Sequence, residues 1–341
     1  MRITLVGTGV QAIPPVGYGG VERTIAEFAD ALRSAGHAPV VVNRVRHGRS
    51  VDEYLFSLSV PAMVRAARGD VVHASTPVVA NRLAMAGIPF VYTTHSRHWF
   101  ARAGARQRFG FWLERRAVAR ARATVALTDV LRSEIARRVP SAAHRLAVIP
   151  IGVDAARFRP DPAARTGRVA LGVGVVAPMK RWEVAAAAAG DAGWTFRLLG
   201  PTPDASYAER VRAAGPSVEL LGEVTDDELR REYARADVLV HPSRVEVLAG
   251  AVLQGLSAGL PVLGADPVAG LVDPGRTGWT SPPGADDAAL RAFFADRLRA
   301  LSDDGVRRTM SAAARATAET KYAWASVVRA HLELYERVAA H

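Results

Sequence analysis

The sequence predicts an α/β protein built from two doubly wound parallel sheets, and three observations predict it. Short apolar runs alternate with stretches whose apolar residues recur at helical spacing, the pattern of strands buried on both faces with helices between them. The alternation is interrupted once, by Ile149-Pro-Ile-Gly-Val-Asp154 and then Arg157-Phe-Arg-Pro-Asp-Pro162, and afterwards restarts. The chain has 341 residues, 49% of them apolar and 23% charged, which at roughly 150 residues per domain suits two buried cores and excludes wholesale disorder.

In the first half, Ile3–Val6 reads as a strand that ends in Gly-Thr-Gly. Val21, Ile25, Phe28, Ala29 and Leu32 then mark one face of a helix, which Gly36 closes. Pro39–Val42, Val71–His73, Phe90–Thr93, Thr124–Leu127 and Ala147–Ile149 read as further strands. After the break come Val169–Val176, Phe196–Leu199, Val218–Leu221, Val238–Val240 and Pro261–Leu263. Asp226-Asp227, Asp286-Asp287 and Asp303-Asp304 read as helix starts and solvated loops, Ala185–Ala189 as helix filler, and Tyr322–Val338 as a final helix. The expected division is a first domain over residues 1–152, a second over 153–321 and a closing helical segment over 322–341.

The chain has no cysteine, which excludes disulfides, thiolate metal sites and cysteine nucleophiles and fits a cytoplasmic setting. Met1–Gly7 is too short an apolar run for a signal peptide. Val247–Ala265 is uncharged over nineteen residues, but Gln254, Pro261 and four glycines mark a helix, a turn and a strand, not a membrane span. The net charge of +11 is unevenly placed: residues 1–150 hold 21 basic and 9 acidic side chains, and residues 151–341 hold 23 and 24. Between Arg97 and Arg145 there are 12 arginines, with Trp99, Phe100, Phe109, Phe111 and Trp112 among them. Such a stretch reads as a solvated face, an acceptor pocket or a contact with a lipid surface, and a basic binding protein without catalysis is the competing class. The 42 arginines against 2 lysines point to a GC-rich genome, in which a retained lysine stands out.

Ligands of doubly wound sheets bind beyond the carboxyl ends of the strands, so four loops carry the functional argument. Gly7 to Gly20 ends in Tyr18-Gly19-Gly20 before a helix, where backbone amides can meet an anion; a plain tight turn is the other reading. It lacks G-x-G-x-x-G, which disfavours a nicotinamide-linked enzyme. Thr93-Thr-His95-Ser-Arg97-His98-Trp99 places a histidine at a strand end, where it can titrate near neutrality or serve structure, and no third ligand completes a metal site. Gly172-Val-Gly174 leads to Lys180-Arg181, and a compact ammonium there suits a phosphate. His241-Pro-Ser-Arg244-Val-Glu246 precedes Leu248-Ala249-Gly250 and a helix bearing Gln254; the amides suit a phosphate and the carboxylate suits sugar hydroxyls.

Taken together, these loops resemble the retaining GT-B glycosyltransferases of family 4 (glycosyl transferases group 1). The matching pieces include Pro14-Pro15, Tyr18-Gly-Gly-Val-Glu22, Thr94-His95, Val148-Ile-Pro-Ile-Gly-Val-Asp154, Lys180, His241-Pro-Ser243, Glu246, Ala258-Gly-Leu-Pro-Val262 and Gly275-Arg-Thr-Gly278. They follow the family's order along nearly the whole chain. The resemblance implies two Rossmann-like domains facing a central cleft, with the C-terminal helix crossing back to the first domain. It implies transfer of a sugar from a UDP-, GDP- or dTDP-sugar to a hydroxyl of a small-molecule, saccharide or lipid-linked acceptor; the compact length and arginine-rich composition suggest secondary-metabolite or glycan biosynthesis. No metal ion or other cofactor and no nucleic acid are implied, and peripheral contact with the inner membrane face is the alternative for a lipid or phosphorylated acceptor.

By the same resemblance His95, Lys180 and Glu246 are catalytic. Gly19, Gly20, Gly174, Arg181, Arg244, Leu248, Ala249, Gly250 and Gln254 bind the donor, while Tyr18, Arg97, His98 and Trp99 meet the acceptor. Two positions depart from the family. Val175 stands where an arginine is common, so Arg181 or Arg244 is expected to replace that cation. Gln254 stands where a second glutamate is common; with one accepting oxygen and no charge it suits a ribose diol less well, so either the ribose is held differently or the donor is a deoxyribonucleotide sugar such as a dTDP-sugar. A two-carboxylate glycosidase is the enzyme competitor, but only Glu246 is well placed for it.

Overall fold

The computed structural model describes all residues except 16–18, 46–50, 97–98, 100–103, 166, 248 and 341. The chain divides into two compact units. One is Met1–Gly152 together with Trp324–His341, and the other is Val153–Ala323. The division falls inside the Pro/Gly-punctuated break, where no periodic pattern crosses the sequence.

The first unit is a six-stranded sheet in the order β2-β1-β3-β4-β5-β6 with every pair parallel. Its strands are β1 (Arg2–Val6), β2 (Ala38–Val42), β3 (Val71–Ala74), β4 (Val91–Thr93), β5 (Ala123–Ala126) and β6 (Leu146–Val148). The helices between them are α1 (Gly20–Ser34), α2 (Val51–Ala67), α3 (Pro77–Met85), α4 (Ala105–Arg120) and α5 (Asp129–Arg138). Right-handed crossovers put α1 on one face of the sheet and the later helices on the other, where α2, α3 and α4 pack in series. Gly36 takes the left-handed conformation just past α1 (φ +81°), the C-terminal role expected of it.

The second unit has the order β12-β11-β10-β7-β8-β9, again all parallel. Its strands are β7 (Val169–Val173), β8 (Thr195–Leu199), β9 (Val218–Gly222), β10 (Val238–His241), β11 (Val262–Gly264) and β12 (Gly278–Thr280). Its helices are α6 (Trp182–Ala192), α7 (Ala205–Ala213), α8 (Asp226–Arg235), α9 (Gly250–Ser257), α10 (Asp287–Ala300) and α11 (Asp304–Thr317). The aspartate pairs act as helix starts. Thr225 and Glu228 form a capping box at α8, Asp286 accepts from the Ala289 amide and Asp303 from those of Gly305 and Val306. The alanines of α6 do more than fill a helix: Ala185–Ala189 are all buried, because their small side chains let α6 lie close to the sheet and to α10.

Two strand assignments change. β7 stops at Val173, because Gly174 turns the chain at φ +149°, and β12 forms where the sequence showed only the Gly275–Gly278 motif. The last helix, α12 (Trp324–Ala339), joins the first unit. Val327, Val328, Leu334 and Tyr335 complete a core with Ile3, Leu5, Ile25, Phe28 and Leu32. Among the described residues no helix is long and apolar enough to cross a membrane.

Candidate active site

In a doubly wound sheet the chain reverses direction across one pair of neighbouring strands, and a crevice opens at their carboxyl ends. In the second unit that pair is β7 and β10. Lys180 leaves a single 3-10 turn, Pro178–Lys180, just after β7, and Glu246 lies five residues beyond the end of β10. Their side chains form an ion pair, each only 13% exposed. His241, the last residue of β10, is buried and places its Nε2 3.0 Å from the same Glu246 oxygen.

The electrostatics of this cluster follow from burial and pairing. Burial alone would raise the Glu246 carboxyl, but the His241 hydrogen bond and the Lys180 charge outweigh it and bring it to about 2. Burial lowers His241, so the ring is neutral near pH 7. A carboxylate only accepts, so Nε2 carries the proton and donates it to Glu246. Nδ1 is then a bare acceptor, buried without a partner among the described residues. The result is an ionised carboxylate and an ammonium held together in a mostly buried crevice.

Two hydrogen bonds stitch the loops after β7 and β10 together. The Arg244 amide donates to the Met179 carbonyl (3.0 Å), and Arg181 Nε donates to the Pro242 carbonyl (2.7 Å). Arg181, expected at the donor, has its guanidinium turned into the fold; it is 5% exposed, with Nη1 3.4 Å from both Asp287 and the Ala285 carbonyl. Its side chain thus joins the loop that carries Lys180 to the one after β10. Arg244 pairs with both oxygens of Asp287 (2.9 and 2.8 Å) and is half-exposed.

Gly174 lies against Lys180: a Cβ there would come 3.9 Å from the lysine stem, and a Cβ on Gly200 would collide with the Gly174 carbonyl at 2.1 Å. Ala249 and Gly250 open α9, whose N-terminus has no side-chain cap, so no side chain competes there with an incoming anion. Gln254 is one turn further on, and its Oε1 already accepts from the buried Tyr233 hydroxyl at 3.0 Å.

In the first unit the reversal lies between β1 and β3. A cavity of about 40 Å³ opens there, with room for about three water molecules. His73, Ser75, Thr93 and His95 line it from the strand ends, and Phe28, Trp324 and His331 from the helices. His95 does not titrate near neutrality as the sequence suggested; burial holds it at about 4. Gly19 precedes α1, where a Cβ would come 2.5 Å from Gln11 Oε1, whereas Gly20 faces open space. Trp99 does not meet an acceptor: it is 0% exposed, and its Nε1 donates to Thr94 Oγ1 (3.1 Å) and Glu114 (3.3 Å) inside the core. Tyr18, Arg97, His98 and Leu248 lie outside the described residues.

Comparison with known proteins agrees with this architecture. Residues 18–157 match Glycosyltransferase Family 4, and residues 173–304 match Glycosyl transferases group 1. The chain belongs to the family 4 glycosyltransferases. This glycosyltransferase is 27% identical to alpha-maltose-1-phosphate synthase of Mycobacterium tuberculosis, with 100% of both chains covered. Its GT-B fold is shared with sucrose-phosphate synthase from Thermosynechococcus elongatus (TM-score 0.83, 20% identity, 99% of each chain). It is also shared with Anabaena Alr3699/HepE in complex with UDP and glucose (TM-score 0.74, 18% identity, 100% of each chain).

Several contacts in the glycosyltransferase escape the motif reading. His241 stood in the His241-Pro-Ser243 piece at the end of a buried strand, but its partnership with Glu246 requires the loop to fold back. In the first unit Glu114 is fully buried, accepts from Tyr92 (2.8 Å), Thr94 (3.0 Å) and Trp99, and is raised by burial to about 7. His73 lies 2.5 Å from the Tyr335 hydroxyl and 2.7 Å from Thr93 Oγ1, which ties α12 to the end of β3. No spacing in the sequence announces a contact between residues 262 positions apart.

Proposed function

We propose that this glycosyltransferase moves a sugar from a nucleoside-diphosphate donor to a hydroxyl acceptor with retention of anomeric configuration and without a metal ion. The observation that carries the reading is the Lys180–Glu246–His241 cluster at the β7/β10 reversal. The leaving diphosphate gains negative charge as the bond to the sugar C1 breaks, and stabilising that charge with preplaced cations and amide dipoles is the largest catalytic term. Lys180 supplies the cation, and the amides at Ala249 and Gly250 supply the dipoles. Glu246, held ionised, accepts hydrogen bonds from the sugar hydroxyls. The acceptor oxygen attacks C1 from the face the diphosphate leaves, and its proton passes to a phosphate oxygen, so no enzymic nucleophile is needed. His95, neutral near pH 7, serves as a hydrogen-bonding group for the sugar.

Gln254 bears on the donor nucleotide. Its one accepting oxygen lies 3.0 Å from the Tyr233 hydroxyl, which also reaches the Ala251 carbonyl at 3.1 Å, so with Tyr233 donating to it Oε1 has a single lone pair left for a ribose hydroxyl. That supports a 2′-deoxyribonucleotide sugar such as a dTDP-sugar, while the UDP and glucose bound by Alr3699/HepE favour the general donor class. A thermal-shift and hydrolysis screen of dTDP-, UDP- and GDP-sugars, with and without EDTA, tests both points. Stabilisation by a dTDP-sugar with turnover insensitive to EDTA is expected. A clear UDP or GDP preference removes the deoxyribose argument, and loss of turnover in EDTA removes the metal-free one.

A further inference from the structure

Glu114 is a buried acid that the proposed reaction does not use, and its partners converge on one loop. It stands on α4 and is 0% exposed. Its Oε2 accepts from the Tyr92 hydroxyl on β4 (2.8 Å), and from Thr94 Oγ1 (3.0 Å) and Trp99 Nε1 (3.3 Å) in the loop after β4. Thr94 Oγ1 in turn accepts from Trp99 Nε1 (3.1 Å) and from the Ser96 amide (3.4 Å). The Ser96 side chain also favours the ionised form of the Glu114 carboxyl. Thr94 and Ser96 are the residues on either side of His95.

The His95 ring lines the cavity at the β1/β3 reversal without an anchor of its own. Burial lowers it to about 4, and among the described residues no hydrogen bond to the ring opposes that shift. A side chain with no partner takes its place from its backbone, and here the backbone is set by its neighbours' hydrogen bonds. Glu114 is also a costly way merely to join a helix to a sheet. Its Oε1 is buried with no partner among the described residues, and burial raises the carboxyl to about 7. An apolar side chain would join α4 to β4 without either penalty. We propose that Glu114 is a positioning residue for His95: from α4 it holds the loop on both sides of the histidine and so fixes where the imidazole stands in the cavity. The consequence for turnover rests on the proposed contact of His95 with the sugar; the placement of the ring does not.

The test has a structural arm and a kinetic arm, both at about pH 6, where the Glu114 carboxyl is mostly protonated and glutamine is its nearest isostere. In the structural arm the His95 ring signal in a proton–carbon NMR spectrum is identified by its loss in His95→Ala. Glu114→Ala and Thr94→Val are expected to shift that signal, and Glu114→Gln to leave it at the parent position. In the kinetic arm Glu114→Ala should lower kcat for donor hydrolysis about tenfold or more. Glu114→Gln should stay within about threefold of the parent. In a His95→Ala background Glu114→Ala should add less than about twofold, because the two residues act through one group. Circular dichroism and thermal melting check folding, and Thr94→Val carries both arms should Glu114→Ala fail to fold. A His95 signal that neither Glu114→Ala nor Thr94→Val moves overturns the proposal. So do losses that multiply independently in the double variant, or a Glu114→Gln enzyme as impaired as Glu114→Ala. Should His95→Ala turn over donor normally, the sugar contact of His95 falls, and the ring signal still decides whether Glu114 places it.

Discussion

The two strand reversals of this molecule sit in similar sheets and are furnished in opposite ways. At β7/β10 the Glu246 carboxylate is kept ionised against burial by the His241 hydrogen bond and the Lys180 charge. At β1/β3 burial wins: His73, His95 and His331 are all lowered, and the nearby Glu114 is raised to about 7. The first half of the chain carries the whole basic excess, yet among the described residues no arginine lines its cavity. Arg108, Arg115, Arg120, Arg122, Arg132 and Arg137 are exposed, where water screens them. Local pairing, and not net charge, decides where an ionised group survives in the interior.

The sharpest way to break that comparison is to remove one partner of the charged cluster. Glu246→Ala or Lys180→Ala should lower kcat by about 10²–10³, as loss of a preplaced electrostatic stabiliser does. Steady-state kinetics with the true donor check this, and near-normal rates would remove the cluster from the chemistry.

The pH dependence of stability has opposite signs in the two units. Glu246 at about 2, below its ordinary 4.5, contributes stability that is present above about 4.5 and lost as the pH falls towards 2. Glu114 at about 7 contributes stability that is present below about 4.5 and lost as the pH rises through 7, on the order of 3 kcal/mol in all. Urea unfolding at about pH 5 and about pH 8 should show this loss in the parent chain, and Glu114→Gln should flatten it.

Smaller still, Tyr335→Phe removes a buried hydrogen bond to His73 and should cost about 1–2 kcal/mol in thermal melting, with donor affinity unchanged. Arg244→Ala breaks a half-exposed pair with Asp287 and should change stability by less than about 1 kcal/mol. If Arg244 also stands in for the cation missing at Val175, the donor KM rises while kcat holds. An unchanged KM assigns Arg244 to the surface.

Much of the frame was legible because it rests on local rules. Eleven of the twelve strands among the described residues could be read from short apolar runs, and the acidic helix starts and the left-handed Gly36 obey residue chemistry at fixed offsets. β12 was missed because Gly278-Trp-Thr280 is three residues long and becomes a strand only by pairing with β11. Lys180 and Glu246 stood out as residues, one by its rarity and the other by its loop. Arg181 read as a donor ligand because the sequence shows a charge and not the direction in which it points. Trp99 misled for the same reason, since an aromatic in a basic loop looks exposed until Glu114 and Thr94 are seen to claim its N–H.

The sequence by itself determined the alternation of strands and helices, the break between the units and the residue types at the strand ends. These depend on periodicity and on the chemistry of single side chains. Tertiary structure alone decided which charges stay ionised, which aromatics are core and which face water, and that His73 meets Tyr335. Each of these depends on the distance between groups far apart in the chain and on how much water is left around them.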